Sequence, residues 1–227
     1  MDIGKSFTYM MEDPNWLMKL VIGAVVSLVP IVNFAAIGYM LTVMRNVAEG
    51  QAVPLPEWGN FGEHFMKGLY AFVGILIYFA PALLVYCCVG VLSGVAGGMM
   101  GGGSSSSSSG DAIGGVLAIV MMCLNCLVGL FMLVASILMP AALIRFAMSQ
   151  NQLSVFWDFG GNFQLVSKNL TNYIIVLLIS WVASFIAGFG IILCVVGVYL
   201  TMFWSQLVTA HIFGQFWRAS QGSLATT

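Results

Sequence analysis

Charged residues are unevenly spaced along the chain, and the intervals between them define its hydrophobic segments. Asp, Glu, Lys and Arg are absent from four intervals, residues 20–44, 68–110, 112–144 and 169–217. A helix needs about 20 residues to cross a bilayer, so the last interval is long enough to cross twice, with a turn at Gly188-Phe189-Gly190. The pattern therefore predicts membrane spans near residues 68–96, 113–144, 170–187 and 191–215.

The first hydrophobic segment, residues 17–44, has two interpretations. It is either one long tilted span or a short hairpin that turns at Pro30-Ile31-Val32-Asn33, because proline disrupts a helix interior and Asn favours turns. A hairpin places all seven basic residues on the cytoplasmic side, whereas a single span moves Lys5 and Lys19 outside. Charge separation favours the hairpin, in which Asn33 is expected to pair with backbone groups of the turn.

A short pattern occurs three times, and each copy precedes a hydrophobic segment. We call each copy a hexad. Its six positions are, in order, an acidic or amide residue, a bulky apolar residue, Gly, any two residues and Phe. The three hexads are residues 2–7, 60–65 and 158–163. Asp or Asn can cap a helix, and apolar residues follow at helical spacing. We predict three short amphipathic helices on one membrane face, anchored by Phe7, Phe65 and Phe163. The alternative is chance similarity in a chain rich in Gly and Phe.

The hexads suggest a three-unit internal repeat within a single integral membrane domain, residues 1–227. The hydrophobic part of each unit ends at an arginine, namely Arg45, Arg145 and Arg218. The predicted units are residues 2–47, 60–147 and 158–218. A Gly- and Ser-rich tract at residues 97–110 cannot bury apolar surface and is expected to form a flexible loop on the extracytoplasmic side.

Composition sets the class of protein. Apolar residues make up 60% of the chain and charged residues only 7%, against about 25% in soluble domains. Together with the helical spacing, this predicts an all-α membrane protein with five to six transmembrane or half-spanning helices plus the three short interfacial helices. The net charge of -1 leaves no basic face for a nucleic acid.

The residues that could carry chemistry do not form a known catalytic pattern. Cys123 and Cys126 share a helix face beside Met121 and Met122, but membrane helices also use Cys and Met for packing. His211, with Gln206, Thr209 and Gln215 nearby in sequence, either lies inside the membrane or reaches the interface. No metalloprotease, serine-hydrolase or phosphate-loop motif is present. We therefore predict a non-enzymatic protein with no catalytic, cofactor-binding or metal-binding residues.

Five sequence blocks are spread along the chain, namely Asp13-Pro14-Asn15-Trp16, Pro30-Ile31-Val32-Asn33-Phe34, Arg45-Asn46-Val47-Ala48, Pro54-Leu55-Pro56-Glu57-Trp58 and Ala210-His211-Ile212-Phe213-Gly214-Gln215. As a set, they resemble the domain of unknown function 4013 family. The resemblance implies a multi-span protein of the bacterial or archaeal cytoplasmic membrane. It supplies no activity, substrate or site residues.

Two classes of function fit these features. The first is a membrane scaffold or accessory subunit that contacts lipid and either other membrane subunits or a second copy of itself. In that case Gly90, Gly94 and Gly98, spaced by four, permit close helix contact within the monomer or between chains. The second class is a small transporter or channel lined by Asn33, Arg145, Gln206 and His211, although almost no intramembrane charge is available to couple an ion.

Overall fold

The computed structural model describes residues 1–100 and 108–224, which form eight α-helices and contain no strand. The helices are α1 (Ile3–Thr8), α2 (Trp16–Leu28), α3 (Asn33–Glu49), α4 (Phe61–Met100), α5 (Ser108–Met148), α6 (Phe159–Lys168), α7 (Leu170–Gly188) and α8 (Cys194–Leu224). Short 3-10 segments lie at Tyr9–Glu12, Trp58–Asn60, Leu153–Phe156 and Phe189–Leu193. The predicted all-α fold is confirmed.

Four helical stretches of the described chain are long and apolar enough to cross a membrane. They are Trp58–Val91, Ala118–Met148, Leu170–Ile192 and Val196–Gly222. α7 ends at Gly188, the first residue of the predicted turn, and the 3-10 segment Phe189–Leu193 leads from it to α8. Gly190 packs so closely on Thr201 that a side chain would not fit there. With the shorter helices α2 and α3, these stretches account for the expected five to six spanning or half-spanning helices.

The first hydrophobic segment is broken as the hairpin interpretation predicts. α2 ends at Leu28 and α3 begins at Asn33. The indole N–H of Trp58 donates to the Lys19 carbonyl over 3.0 Å, while the Tyr39 ring stacks on Trp58 at 4.4 Å. In a continuous helix, Lys19 and Tyr39 would be separated by about 30 Å at 1.5 Å per residue. Because both contact one indole, α2 and α3 fold back on each other.

The predicted role of Asn33 in this turn is wrong. Its Oδ1 atom is buried and accepts no hydrogen bond from a described residue. The turn is instead closed by backbone hydrogen bonds, from Asn33 N to Val29 O, Phe34 N to Ile31 O and Ala35 N to Val32 O. These bonds pair main-chain groups directly, which leaves the side-chain amide without a role in the turn.

The short helices and the loop differ in part from expectation. Asp2 caps α1 by accepting from Lys5 N, and Asp158 caps α6 by accepting from Gly161 N, each over 2.9 Å. The second hexad does not form a separate helix, because α4 continues from Phe61 with no Pro before Pro81. Helices also occupy residues 97–100 and 108–110 of the predicted loop, and the rest of that loop lies outside the described residues.

The chain forms two compact units. The first comprises residues 1–74 and 140–227, and the second, here the helix-pair unit, comprises residues 75–139. In the first unit α8 is central and packs against α1, α2, α3 and α7. Its core is aromatic, with Tyr39, Tyr173, Phe203, Phe213 and Phe216 buried. In the helix-pair unit most large apolar side chains are exposed.

Candidate functional site

The first hexad is fixed to the end of α8 by a compact set of hydrogen bonds. The backbone N–H of Asp2 donates to Gln215 Oε1 over 2.6 Å. Gln215 Nε2 in turn donates to the Asp2 carbonyl over 3.0 Å and lies 3.1 Å from His211 Nδ1. Because Oε1 accepts from a backbone N–H, the orientation of the Gln215 amide is determined.

Tyr9 and Ser6 enclose His211 from the other sides. The Tyr9 ring stacks on the imidazole at 4.1 Å, and its hydroxyl donates to Leu207 O over 3.1 Å. Burial raises the pKa of Tyr9 well above its ordinary value, so the phenol remains neutral. Ser6 Oγ lies 3.0 Å from His211 Nδ1. His211 is thus buried within the protein, with 4% of its surface exposed.

A cavity of about 490 Å³ opens beside this cluster. Its polar lining consists of Asp2, Lys5, Tyr9, Gln51, His211, Gln215 and Arg218, with Val47, Gly50 and Pro54 among its remaining walls. Gly50 ends α3 in the left-handed conformation, with φ +82°, and the Arg218 guanidinium packs directly against it. A side chain at position 50 would be strained and would crowd Arg218. The close fit places the cation at the cavity wall.

A charge cluster around the buried Lys19–Asp13 pair joins the start of α2 to the exposed Glu57 in the segment before α4. Lys19 Nζ lies 2.7 Å from Asp13 Oδ2 and 2.6 Å from Glu57 Oε1, and it donates to Leu55 O over 3.2 Å. Burial opposes ionisation of Asp13, but hydrogen bonds from Lys19 and from the Asn15 N–H outweigh it, and the pKa of Asp13 is lowered. The Asp13 block and the Glu57 block of the family resemblance therefore meet at one lysine.

The third hexad is held by Arg145 at the end of α5. One guanidinium nitrogen donates to Asp158 Oδ2 and another to Asn162 Oδ1, each over 2.6 Å. Asn162 Nδ2 donates to Val155 O over 3.1 Å. The hydrogen bond from Arg145, aided by the Gly161 N–H, holds the pKa of Asp158 below its ordinary value. Arg145 is thus engaged by two residues of the third hexad.

The fifth residue of every hexad is a buried polar group. Ser6, His64 and Asn162 have exposed fractions of 0%, 3% and 0%. The His64 ring lies 3.2 Å from Glu57 O through Nε2 and 3.4 Å from Thr42 Oγ1 through Nδ1. Each of the three side chains therefore makes hydrogen bonds within the first unit.

Two glycines allow the second hexad to contact α3 through the backbone. A Cβ atom at Gly38 would collide with the His64 carbonyl, and one at Gly68 would collide with the Phe34 carbonyl. The anchoring phenylalanines have different surroundings. Phe7 packs on Trp204 and Phe65 on Phe34, with ring centroids 5.9 Å apart in each pair, while Phe163 is 62% exposed.

The cysteines do not assemble into a site in the part of the chain that is described. Cys87, Cys88, Cys123 and Cys126 are free and exposed. No group of three or more His, Cys, Asp or Glu side chains that could hold a metal occurs among the described residues. Of the candidate transporter-lining groups, His211 and Arg145 pair internally, whereas Asn33 Oδ1 and Gln206 Oε1 are buried and accept no hydrogen bond from a described residue.

Two features were missed by sequence reasoning. Lys19 is an isolated charge at the border of a hydrophobic run, and a search for its carboxylate partners in the neighbouring blocks would have suggested Asp13. Asn125 is the other feature, since it is exposed within a candidate span and its amide donates only to Met121 O of its own helix. It was detectable as a lone amide in a charge-free interval.

The family model described as protein of unknown function (DUF4013) matches residues 22–196. No curated protein and no solved structure matches the chain. The matched range covers most of the sequence and includes α3 to α7 in full. The chain therefore belongs to the DUF4013 family.

Proposed function

We propose that this chain is a non-enzymatic integral membrane scaffold or accessory subunit of a larger complex in the cytoplasmic membrane of a prokaryote. The observation that carries the proposal is the position of Asn125. This residue is exposed near the middle of α5, in the candidate span Ala118–Met148. An amide facing hydrocarbon is costly, whereas an amide facing another membrane helix stabilises the contact by hydrogen bonding.

A glycine-containing face of α4 supports the same proposal. Cys87, Gly90, Val91 and Gly94 recur at helical spacing, and all are exposed. Nothing in the described chain lies within 4 Å of a Cβ atom at Gly90 or Gly94, so these glycines make no close contact with a described residue. The surroundings of Gly98 lie outside the described residues.

Gly38 and Gly68 show what a glycine does in this protein where two helices are in contact. There, the small residue lets two helix backbones touch, and no larger side chain would fit. At Gly90 and Gly94 the equivalent space is open. A partner helix that carries its own small residues would fill this space by the same backbone contact.

The first unit supplies the rigid part of such a scaffold. We propose that its three hexads mark a three-unit repeat. In each unit, the side chain of the fifth hexad residue forms a hydrogen bond with another helix of the first unit. Ser6 contacts α8, His64 contacts α3 and Asn162 contacts α5. On the positive-inside rule, the basic residues at this end face the cytoplasm and the Gly/Ser loop faces outward.

Site-specific photocrosslinking in native membranes tests the scaffold role. A photoreactive amino acid at Met122, one turn from Asn125 and 64% exposed, should crosslink to a single protein in high yield. The matched control is Phe185 in α7, which is 71% exposed and has no polar neighbour of this kind. It should crosslink to lipid. Lipid adducts alone at both positions would contradict the proposal.

A small transporter or channel is the second candidate, and one observation favours it. Asn33 Oδ1 and Gln206 Oε1 are buried polar atoms that accept no hydrogen bond from a described residue. Such atoms can line a solute path through a broken helix. Solute flux into vesicles that contain only this purified chain, abolished by replacing Gln206 with Leu, would support this candidate over the scaffold.

A further inference from the structure

The cavity beside α1 combines two cations with several neutral polar side chains. Lys5 and Arg218 both line it, together with Gln51, Gln215 and His211. We infer that this cavity binds the phosphate group of an anionic ligand, carried either by a lipid headgroup or by a soluble phosphorylated molecule. Arg is suited to this role because its planar guanidinium can donate two parallel hydrogen bonds to phosphate.

Arg218 is positioned but not neutralised. Its guanidinium packs against Gly50 at the end of α3, and no described Asp or Glu lies within 4 Å of it. Arg45 and Arg145, by contrast, each have a carboxylate partner, Glu49 and Asp158, respectively. Of these three arginines, Arg218 is the one that lines the cavity, and its charge is available to a ligand.

Lys5 is the second cation of the site. Lys5 has only a loose partner, with Glu12 Oε1 at 3.5 Å and both side chains about half exposed. A phosphate oxygen is a stronger hydrogen-bond acceptor than water for an ammonium group, and its binding to Lys5 would disturb only the long contact with Glu12.

The size and remaining lining restrict the ligand. A volume of about 490 Å³ falls in the range of small-molecule sites, about 300–1,000 Å³, and exceeds the needs of a bare phosphate. Asp2 contributes one carboxylate, which disfavours a polyanion. Val47 and Pro54 provide apolar wall for the rest of the molecule. A monophosphate group on a larger organic body fits these features.

Binding to the purified full chain in detergent tests the inference. The probes are inorganic phosphate, glycerol 3-phosphate, dioctanoyl phosphatidylglycerol and, without phosphate, dioctanoylglycerol, each titrated at constant ionic strength while thermal unfolding is followed. Arg218→Gln should weaken binding about tenfold or more, since it removes a charged donor. Lys168→Gln removes an exposed cation outside the cavity and should leave binding unchanged.

The probes also distinguish the two sources. Stabilisation by glycerol 3-phosphate as well as by the lipid supports a site that accepts soluble phosphorylated molecules, and stabilisation by phosphatidylglycerol alone supports a headgroup site. Equal stabilisation by dioctanoylglycerol, no binding of any probe, or unchanged affinity in a folded Arg218→Gln variant would overturn the inference. As a control for folding, the ligand-free Arg218→Gln variant should unfold at the same temperature as the ligand-free wild type.

Discussion

The ammonium group of Lys19 lies 2.7 Å from Oδ2 of Asp13, and the two side chains are only 6% and 4% exposed. This contact joins the turn before α2 to the first turn of that helix, and Glu57 extends it to the segment before α4. The hydrogen bond from the Trp58 indole to the Lys19 carbonyl lies beside it. The Lys19–Asp13 pair thus helps to determine where the α2–α3 hairpin begins.

Replacing Lys19 with Met should destabilise the protein strongly. The change leaves Asp13 buried without its cation, and breaking a buried pair typically costs about 3–5 kcal/mol. Thermal unfolding in detergent would measure the effect. Lys67→Met is the control, because the Glu63 partner of Lys67 is largely exposed and the loss should stay below about 1 kcal/mol. Equal losses in the two variants would contradict the structural role of Lys19.

Stability should decline in acid through Asp13 and Asp158. Both have a folded-state pKa below the ordinary value of 3.8, so their stabilising effect is fully present above that pH and is lost as the pH falls through the lower folded values. The contribution of these two carboxylates to the unfolding temperature should therefore be lost below about pH 4. Arg145→Gln should make the acid decline shallower, whereas Lys168→Gln should not alter it.

Gly38→Ala should separate α3 from α4. The added methyl group meets the His64 carbonyl, so the helices must move apart at a cost of about 1–3 kcal/mol. Gly62 lies at the start of α4, with nothing within 4 Å of a Cβ atom there, so Gly62→Ala should be neutral or slightly stabilising. Chemical or thermal unfolding of the two variants compares them directly. A harmless Gly38→Ala would mean that this backbone contact does not stabilise the fold.

Local features of the fold could be predicted from the sequence, while its long-range contacts could not. Charge-free intervals located the spans, Pro30 located the break, and Asp2 and Asp158 were recognised as caps, because each depends on neighbouring residues. The convergence of Lys19 and Tyr39 on Trp58 depends on residues far apart in sequence. The second hexad was wrongly predicted to form a separate helix because nothing in it reveals that α4 continues.

The cavity and the exposed face were also beyond local reasoning. Arg218 was noted only as the end of a hydrophobic segment, and its position against Gly50 arises from packing between α3 and α8. Gly90 and Gly94 were recognised as small residues at helix spacing, but packing within the monomer and contact with another chain were equally compatible with the pattern. The open space around both glycines favours contact with another chain.

Asn33→Leu should be neutral or stabilising, by up to about 1–3 kcal/mol. The substitution removes a buried Oδ1 atom that accepts no hydrogen bond from a described residue, and the backbone bonds of the turn remain. Unfolding temperature in detergent would show the change. A clear loss of stability would indicate that the amide supports the turn after all.

The hairpin itself predicts a short distance between its ends. With the five native cysteines replaced, spin labels at Leu17 and Glu49 can be measured by pulsed electron paramagnetic resonance. The labels should lie less than about 30 Å apart, because α2 and α3 form an antiparallel hairpin. A continuous helix would place these positions about 48 Å apart at 1.5 Å per residue. A distance near the longer value would require a single tilted span.

The mass of the particle extracted from native membranes tests the proposed scaffold role most directly. Native mass spectrometry in mild detergent should show the 24.4 kDa chain bound to another polypeptide, or to a second copy, in a constant ratio. Asn125→Leu should release the 24.4 kDa monomer, while Asn125→Gln, which keeps the amide, should retain the complex. A wild-type particle of 24.4 kDa with lipid alone would contradict the account.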